Sequence, residues 1–473
     1  MSEAFQIHDN QTHSKNSNGD ENSLNSMETQ DRELGTKPIK SLYAKYSIAT
    51  LIGMLAQAVM VIFEGVIIGN GLGTLGLATI SVIMPLEMLN LALGGFFGIG
   101  VASVAAIKLG KNDSEGAKAV FAQCFWFCVI FVTALSALVF FSAEGVASLL
   151  GATPDIHSSV VTFIKIFICG YPFLVTGQLL VFVLRADEKP GLASFFMTGS
   201  AALALVELYL SVIVFDVGIK GAAVYYVLSI GLWFLSIFYF LFSKNTIFKI
   251  KPTKIQFSVI GAALKTGTPY FIVQIASFIY TIVINNLLGK LGSSVDIAAF
   301  AVINAYIIYI FMMICTAMMQ GMQPLASYNY GALKMERVKE LVRVSIISNF
   351  VFIAVLTVIS VVFAKPITSI FAAGDASFID ITSKYTIIVI SLSAFGLTSV
   401  LVSGFFQAID KVNISTVIGV SRYVIFAIPL MFIMAKPLGI MGVWYSQPIA
   451  DFLACAFAMY YVFREVKNLK KAL

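Results

Sequence analysis

Glu64, Glu87 and Glu207 each stand alone within a stretch of more than twenty mostly apolar residues. A charge at such a position costs at least about 2.5–3.5 kcal/mol on insertion scales, so it normally faces a cavity and does work there. Carboxylates grouped in a low dielectric can hold a proton near neutral pH. The three acids are therefore expected to form a cation-coupling set. Asn90 lies three residues after Glu87 and Tyr209 two after Glu207. With Gln178 they make candidate substrate contacts in the first half of the chain. The second half offers Gln274, Tyr280, Asn304, Tyr306 and Met313, within a run rich in methionine. Flexible thioethers and flat aromatic faces suit loosely specific binding of lipophilic cations. Arg422 and Asp451 are the other deep charges, and each would be costly alone, so a structural ion pair is expected.

The elements that must position these residues are membrane helices. The chain has 473 residues, 59% hydrophobic and only 12% charged, against roughly 25% charged in a soluble domain. Its mean hydropathy is +0.90. Apolar runs repeatedly exceed the ~20 residues needed to cross ~30 Å of hydrocarbon. They predict twelve spans, at 48–68, 80–107, 119–141, 160–184, 192–215, 221–242, 259–288, 297–326, 344–364, 386–408, 414–435 and 440–463. All five cysteines (Cys124, Cys128, Cys169, Cys315 and Cys455) fall in apolar runs and read as buried free thiols. No His or Cys cluster suggests a metal. Polar residues dominate 1–38, so residues 1–44 are expected to be a disordered tail.

Of the lysines and arginines at the span ends and in the segments that join them, 22 fall on one side of the predicted bundle and 6 on the other. By the positive-inside rule both termini are expected in the cytoplasm. The formal charge of +6 is then topological, and no nucleic-acid partner is implied. Motifs also recur at offsets of 219 to 222 residues. Leu72-Gly73 matches Leu291-Gly292, Gly110 with Lys118 matches Gly331 with Lys339, and Gly218-Ile219 matches Gly439-Ile440. Two pseudo-symmetric six-helix bundles follow, at 45–243 and 258–465, joined by a basic linker at 244–257, with a second tail at 466–473. Parallel repeats around a cavity are a recurrent transporter plan. Shifted by the repeat, the three glutamates land on Val283, Ile307 and Ile428, so the fold itself does not require the acids.

The stretch Gln323-Pro324-Leu325-Ala326-Ser327-Tyr328-Asn329-Tyr330-Gly331-Ala332 resembles a signature of the multidrug and toxic compound extrusion (MATE) family. Similarity continues in Gly69 through Gly73, Gly98-Ile99-Gly100, Arg185 through Pro190, Gly218 through Ala223, Phe406-Gln407-Ala408 and Trp444 through Asp451. It covers roughly residues 45–465 and is nearest the bacterial MepA-like subgroup. The resemblance implies a V of two six-helix bundles in a bacterial cell membrane. It implies export of lipophilic or cationic compounds by alternating access, driven by H+ or Na+, with no other cofactor and a monomer as the working unit. It also implies an acid on helix one and another on helix five, which fall on Glu64 and Glu207. The family's Asn one turn before the helix-five acid falls on Leu203, which removes an oxygen ligand for sodium and favours protons. Another branch uses carboxylates on helices seven, eight and ten, whose interiors lack acids here. A lipid-linked oligosaccharide flippase is the alternative within the superfamily, but it would want a more basic cavity. An enzyme is disfavoured because no nucleophile–base pair or metal cluster is evident.

Overall fold

The computed structural model describes residues 32–370 and 376–471, and among them there is helix and no strand. Long apolar segments leave no other solution, because backbone groups in hydrocarbon must be satisfied within their own segment. The spans are α1 (Ile39–Gly73), α2 (Ala78–Gly110), α3 (Ser114–Phe141), α4 (His157–Ala186), α5 (Pro190–Val214) and α6 (Ile219–Phe242). The second half has α7 (Phe257–Leu291), α8 (Val295–Gly331), α9 (Met335–Val362) and α11 (Val412–Leu438). Between the last two, α10 consists of Ala376–Ile390 and Ser393–Ala408, bent by 49°. The last long helix, α12 (Ile440–Lys471), completes the twelve. α1 and α2 are separated only at Gly73, whose φ of +62° is open to a residue without Cβ.

Helices are longer than the apolar runs, chiefly at the end that carries both described termini, here called the basic end. α1 starts at Ile39 and α8 ends at Gly331. Lysines such as Lys40 and Lys45 lie on these extensions, where long stems let the ammonium group reach water. Disorder is not what residues 32–44 show, although 1–31 lie outside the described residues. Residues Glu33–Thr36 form a short helix and Leu34, Ile39, Leu42 and Tyr43 are buried. The expectation failed because a few apolar residues spaced along a polar stretch suffice when a groove receives them. Likewise α12 runs on through 466–471. Cys169 is exposed, whereas the other four thiols are buried.

Residues 32–37 strap the two lobes together. Leu34 N–H donates to Glu188 Oε1 of the first lobe at 3.1 Å, while its carbonyl accepts from Asn329 Nδ2 of the second at 2.9 Å. Arg337 Nη2 donates to the carbonyls of Leu34 and Lys37 at 3.2 and 2.7 Å, and Lys334 Nζ to that of Gly35 at 2.9 Å. Deeper in, the lobes touch backbone to backbone. A Cβ at Gly267 of α7 would collide with the Phe96 carbonyl of α2, and one at Gly331 of α8 with the Ile107 carbonyl. Toward the far end the same helices present exposed Met84 and Met88, Ile275 and Phe278, and Tyr306 and Tyr309. The bundle is a V closed at its basic end.

Candidate functional site

Glu64 lies nine residues before the end of α1 at Gly73, Glu87 nine after the start of α2 at Ala78, and Glu207 seven before the end of α5 at Val214. At ~1.5 Å per residue all three sit roughly 10–14 Å from the far end of the bundle. Equal depth does not make them one cluster. Glu64 is buried and both its oxygens are held from α6: Tyr225 donates to Oε2 at 2.9 Å, and Tyr226 donates to Oε1. Glu87 lies within the field of Glu64, its own charge acts on Tyr226, and its Oε2 is buried with no hydrogen-bond partner. Tyr309, on α8 of the other lobe, also lies within the field of Glu87. Glu87 therefore stands between the interior of the first lobe and the facing wall of the second.

Glu207 stands apart. No hydrogen bond among the described residues joins it to Glu64 or Glu87, and its Oε2 is buried without a partner. A π-helical turn, Leu210–Val214, begins just beyond it. Such turns are rare and frequent at functional sites, because they re-aim side chains within a helix. Leu203, one turn earlier, is exposed and offers only carbon. Tyr209 is 51% exposed on the same helix, beside exposed Val206 and Ile213.

The other polar candidates pair inside their lobes. Gln178 Nε2 donates to Asn90 Oδ1 at 3.2 Å, tying α4 to α2, and both residues are buried. Tyr280 is buried and its ring lies 5.3 Å from that of Tyr423. Met313 is buried, and Gln274 is half-buried on α7. Asn304 and Tyr306 occupy another π-helical turn, Ile303–Ile308, where Tyr306 is 46% exposed. Of the expected substrate contacts, Asn90, Gln178, Tyr280 and Met313 thus belong to packed interior, whereas Tyr209 and Tyr306 are open. Depth along a helix can be counted from sequence; which face a residue takes depends on how the helix is rotated in the bundle.

In the second lobe Arg422 and Asp451 make a two-pronged pair, Nε to Oδ1 at 2.7 Å and Nη2 to Oδ2 at 3.2 Å. Gln447 Nε2 adds a bond to Asp451 Oδ1 at 2.7 Å, and Arg422 Nη1 donates to the Tyr423 hydroxyl at 3.2 Å. Both charges are buried. Breaking such a pair strands a charge, so Asp451→Ala is expected to cost about 3–5 kcal/mol of stability, and Arg422→Met with Asp451→Leu far less. Thermal unfolding in one detergent checks this. Equal losses in the single and double variants would show that the charge pairing is not what matters there.

Sequence reasoning missed Tyr225 and Tyr226. Two adjacent tyrosines in the first third of a mostly apolar span were the available signal, since a buried phenol needs an acceptor. It also missed Gln57, whose Nε2 reaches the Met197 carbonyl at 3.0 Å and joins α1 to α5.

The comparisons with known proteins fit this architecture. The MatE family model matches residues 49–213 and again 269–433. The two matches are displaced by 220 residues, the period of the internal repeat. Multidrug export protein MepA of Staphylococcus saprophyticus is 25% identical over 439 residues, covering 90% of this chain and 94% of that protein. Its namesake from Staphylococcus aureus strain MRSA252 is 24% identical over 433 residues, with the same shares covered. A crystal structure of MATE in complex with MaD3S superposes with a TM-score of 0.86 at 21% identity, over 94% of this chain and 99% of that one. With both halves matched by one family model and the V of two six-helix lobes in place, the chain belongs to the MatE family of multidrug and toxic compound extrusion transporters.

Proposed function

We propose that this chain is a secondary active exporter of lipophilic or cationic compounds, driven by proton entry. On this reading it works as a monomer in the bacterial cell membrane, with both termini in the cytoplasm. The observation that carries the coupling is Glu64, a buried carboxylate clamped by two hydroxyl donors with a second acid, Glu87, beside it. Export is supported by the two relatives named as multidrug export proteins, which match almost end to end. A proton needs only one carboxylate oxygen, whereas hard metal cations take several oxygen ligands. Here Leu203, one turn before Glu207, supplies none.

The working cycle follows from the V. A compound enters between the lobes and leans on exposed aromatic surface such as Tyr306 and Tyr309. Protonation of the Glu64–Glu87 pair removes negative charge from the wall that faces it. A bound cation and a proton then compete for that wall, and by linkage each weakens the other. Uptake of a fluorescent lipophilic cation into inside-out vesicles, under separately imposed proton and sodium gradients, tests the proposal. Uptake driven by the proton gradient alone is expected; dependence on sodium alone would overturn the proton assignment.

Orientation has its own test. In a background with Cys169 replaced by serine, a cysteine at position 155 should react with an impermeant maleimide added to intact cells. One at position 252 should react only after permeabilisation. The reverse pattern would invert the bundle.

A further inference from the structure

A cavity of about 840 Å3 opens at the basic end of the first lobe, away from the V. Its walls are the first turns of α3, the α4–α5 turn, the basic linker and Arg32. The linker has no regular structure between 243 and 256, yet it is fixed in place. Trp126 Nε1 of α3 donates to the Lys251 carbonyl at 3.2 Å, and Gln256 N–H donates to Gln123 Oε1 at 2.8 Å. Phe248 is fully buried, 5.5 Å from the ring of Phe121. A mere connector would not need these anchors.

The chemistry of the walls is cationic. Arg32, Lys118, Lys189, Lys244, Lys249 and Lys251 line the cavity against Glu115, Asp187 and Glu188. Each acid already has a partner. Glu115 pairs with Lys118 at 2.9 Å, Glu188 accepts the Leu34 N–H, and Asp187 accepts the Tyr239 hydroxyl at 2.9 Å. Burial pushes the Asp187 carboxyl up to about 6. No side-chain hydrogen bond or ion pair is made by Arg32, Lys189, Lys244 or Lys251 among the described residues. Four cations thus converge on a preformed space large enough for a drug-sized ligand.

Apolar side chains bracket the same linker. α6 ends in Leu241 and Phe242, 43% and 75% exposed, and α7 begins with Phe257, 77% exposed, after Ile255. Basic pockets flanked in this way, at the level where a helix leaves the hydrocarbon, suit phospholipid headgroups. We propose that this cavity is a binding site for a phosphate-bearing anion, the headgroup of an anionic phospholipid, held by Arg32, Lys189, Lys244 and Lys251. Its occupant would lie beside Arg32 and Glu188, where the strap from residues 32–37 meets the first lobe.

The full-length protein in a neutral detergent would be titrated with short-chain phosphatidylglycerol, with short-chain phosphatidylcholine and with inorganic phosphate, following its unfolding temperature. Saturable stabilisation by phosphatidylglycerol and none by phosphatidylcholine is expected. Lys189→Gln combined with Lys244→Gln and Lys251→Gln should weaken that response at least tenfold, and Lys365→Gln with Lys436→Gln should leave it unchanged. Arg32→Gln alone, a milder change, should weaken it in the same direction if the triple variant misfolds. Saturation by inorganic phosphate at the same concentrations would keep the anion site and overturn the lipid as its source. Equal responses to both lipids, or no loss in the lysine and arginine variants, would overturn the site.

Discussion

Glu64→Gln is expected to lower proton-driven efflux by about 100-fold, the scale set by a coupling free energy of 1–3 kcal/mol. The substitution keeps the side chain's length and one oxygen acceptor for the α6 tyrosines, so the fold should lose only about 1 kcal/mol. What it removes is the exchangeable proton. Tyr226→Phe separates the two roles: the carboxylate stays, one of its two donors goes, and efflux should fall less while its pH dependence shifts. Glu207→Gln is expected to match Glu64→Gln by a different argument. Ser211 supports the carboxylate, but its Oε2 is buried without a hydrogen bond, a cost that stability alone gives no reason to keep. The readout is efflux at matched expression together with detergent stability. Wild-type rates in either variant would remove that residue from coupling, and loss of folding would assign it to structure.

The parts of this molecule legible in its sequence are those set by hydrocarbon thickness and by repetition. Twelve apolar runs became twelve helices because length and charge depletion are one-dimensional properties. Arg422 and Asp451 were readable as partners because neither could be buried alone, and the repeat located the linker at 244–257. Other features depend on helix rotation, which no periodicity resolves when a span is apolar on every side. Asn90 and Gln178 therefore looked like open site residues but bond to each other within the first lobe. Glu207 has the depth of Glu64 without its company. The ordered strap at residues 32–37 was hidden because its partners, Glu188, Asn329 and Arg337, are remote in sequence. The signature Gln323 through Ala332 also gains a physical meaning. Asn329 accepts from Arg337 Nε at 2.8 Å and donates to the Leu34 carbonyl, and Gly331 lies against the α2 backbone. Much of the motif serves the closed basic end, at a distance from the carboxylates.

That closed end sets the other large effect, which is expected from Gly267→Ala combined with Gly331→Ala. In each position an added methyl group meets a carbonyl of α2, Phe96 or Ile107, and a backbone cannot turn away as a flexible side chain would. Overpacking of this kind costs about 1–3 kcal/mol per site. Both clashes exist only while the lobes are packed at the basic end, so their cost falls on that state and not on the lobes themselves. A combined shift near 3 kcal/mol changes the ratio of closed to open forms by more than about 100-fold. The double variant should fold and reach the membrane, yet transport at least about tenfold more slowly, because a transporter that cannot close one end cannot complete alternating access. A cysteine at Ser103 of α2, buried in the closed form, should in the same variant become reactive from the basic side. Replacing Gly145 or Gly261, where an added Cβ meets nothing, controls for the loss of glycine itself. Normal transport with position 103 still protected would mean that the seam accommodates the methyl groups, and the close backbone contact would then play no part in the conformational equilibrium.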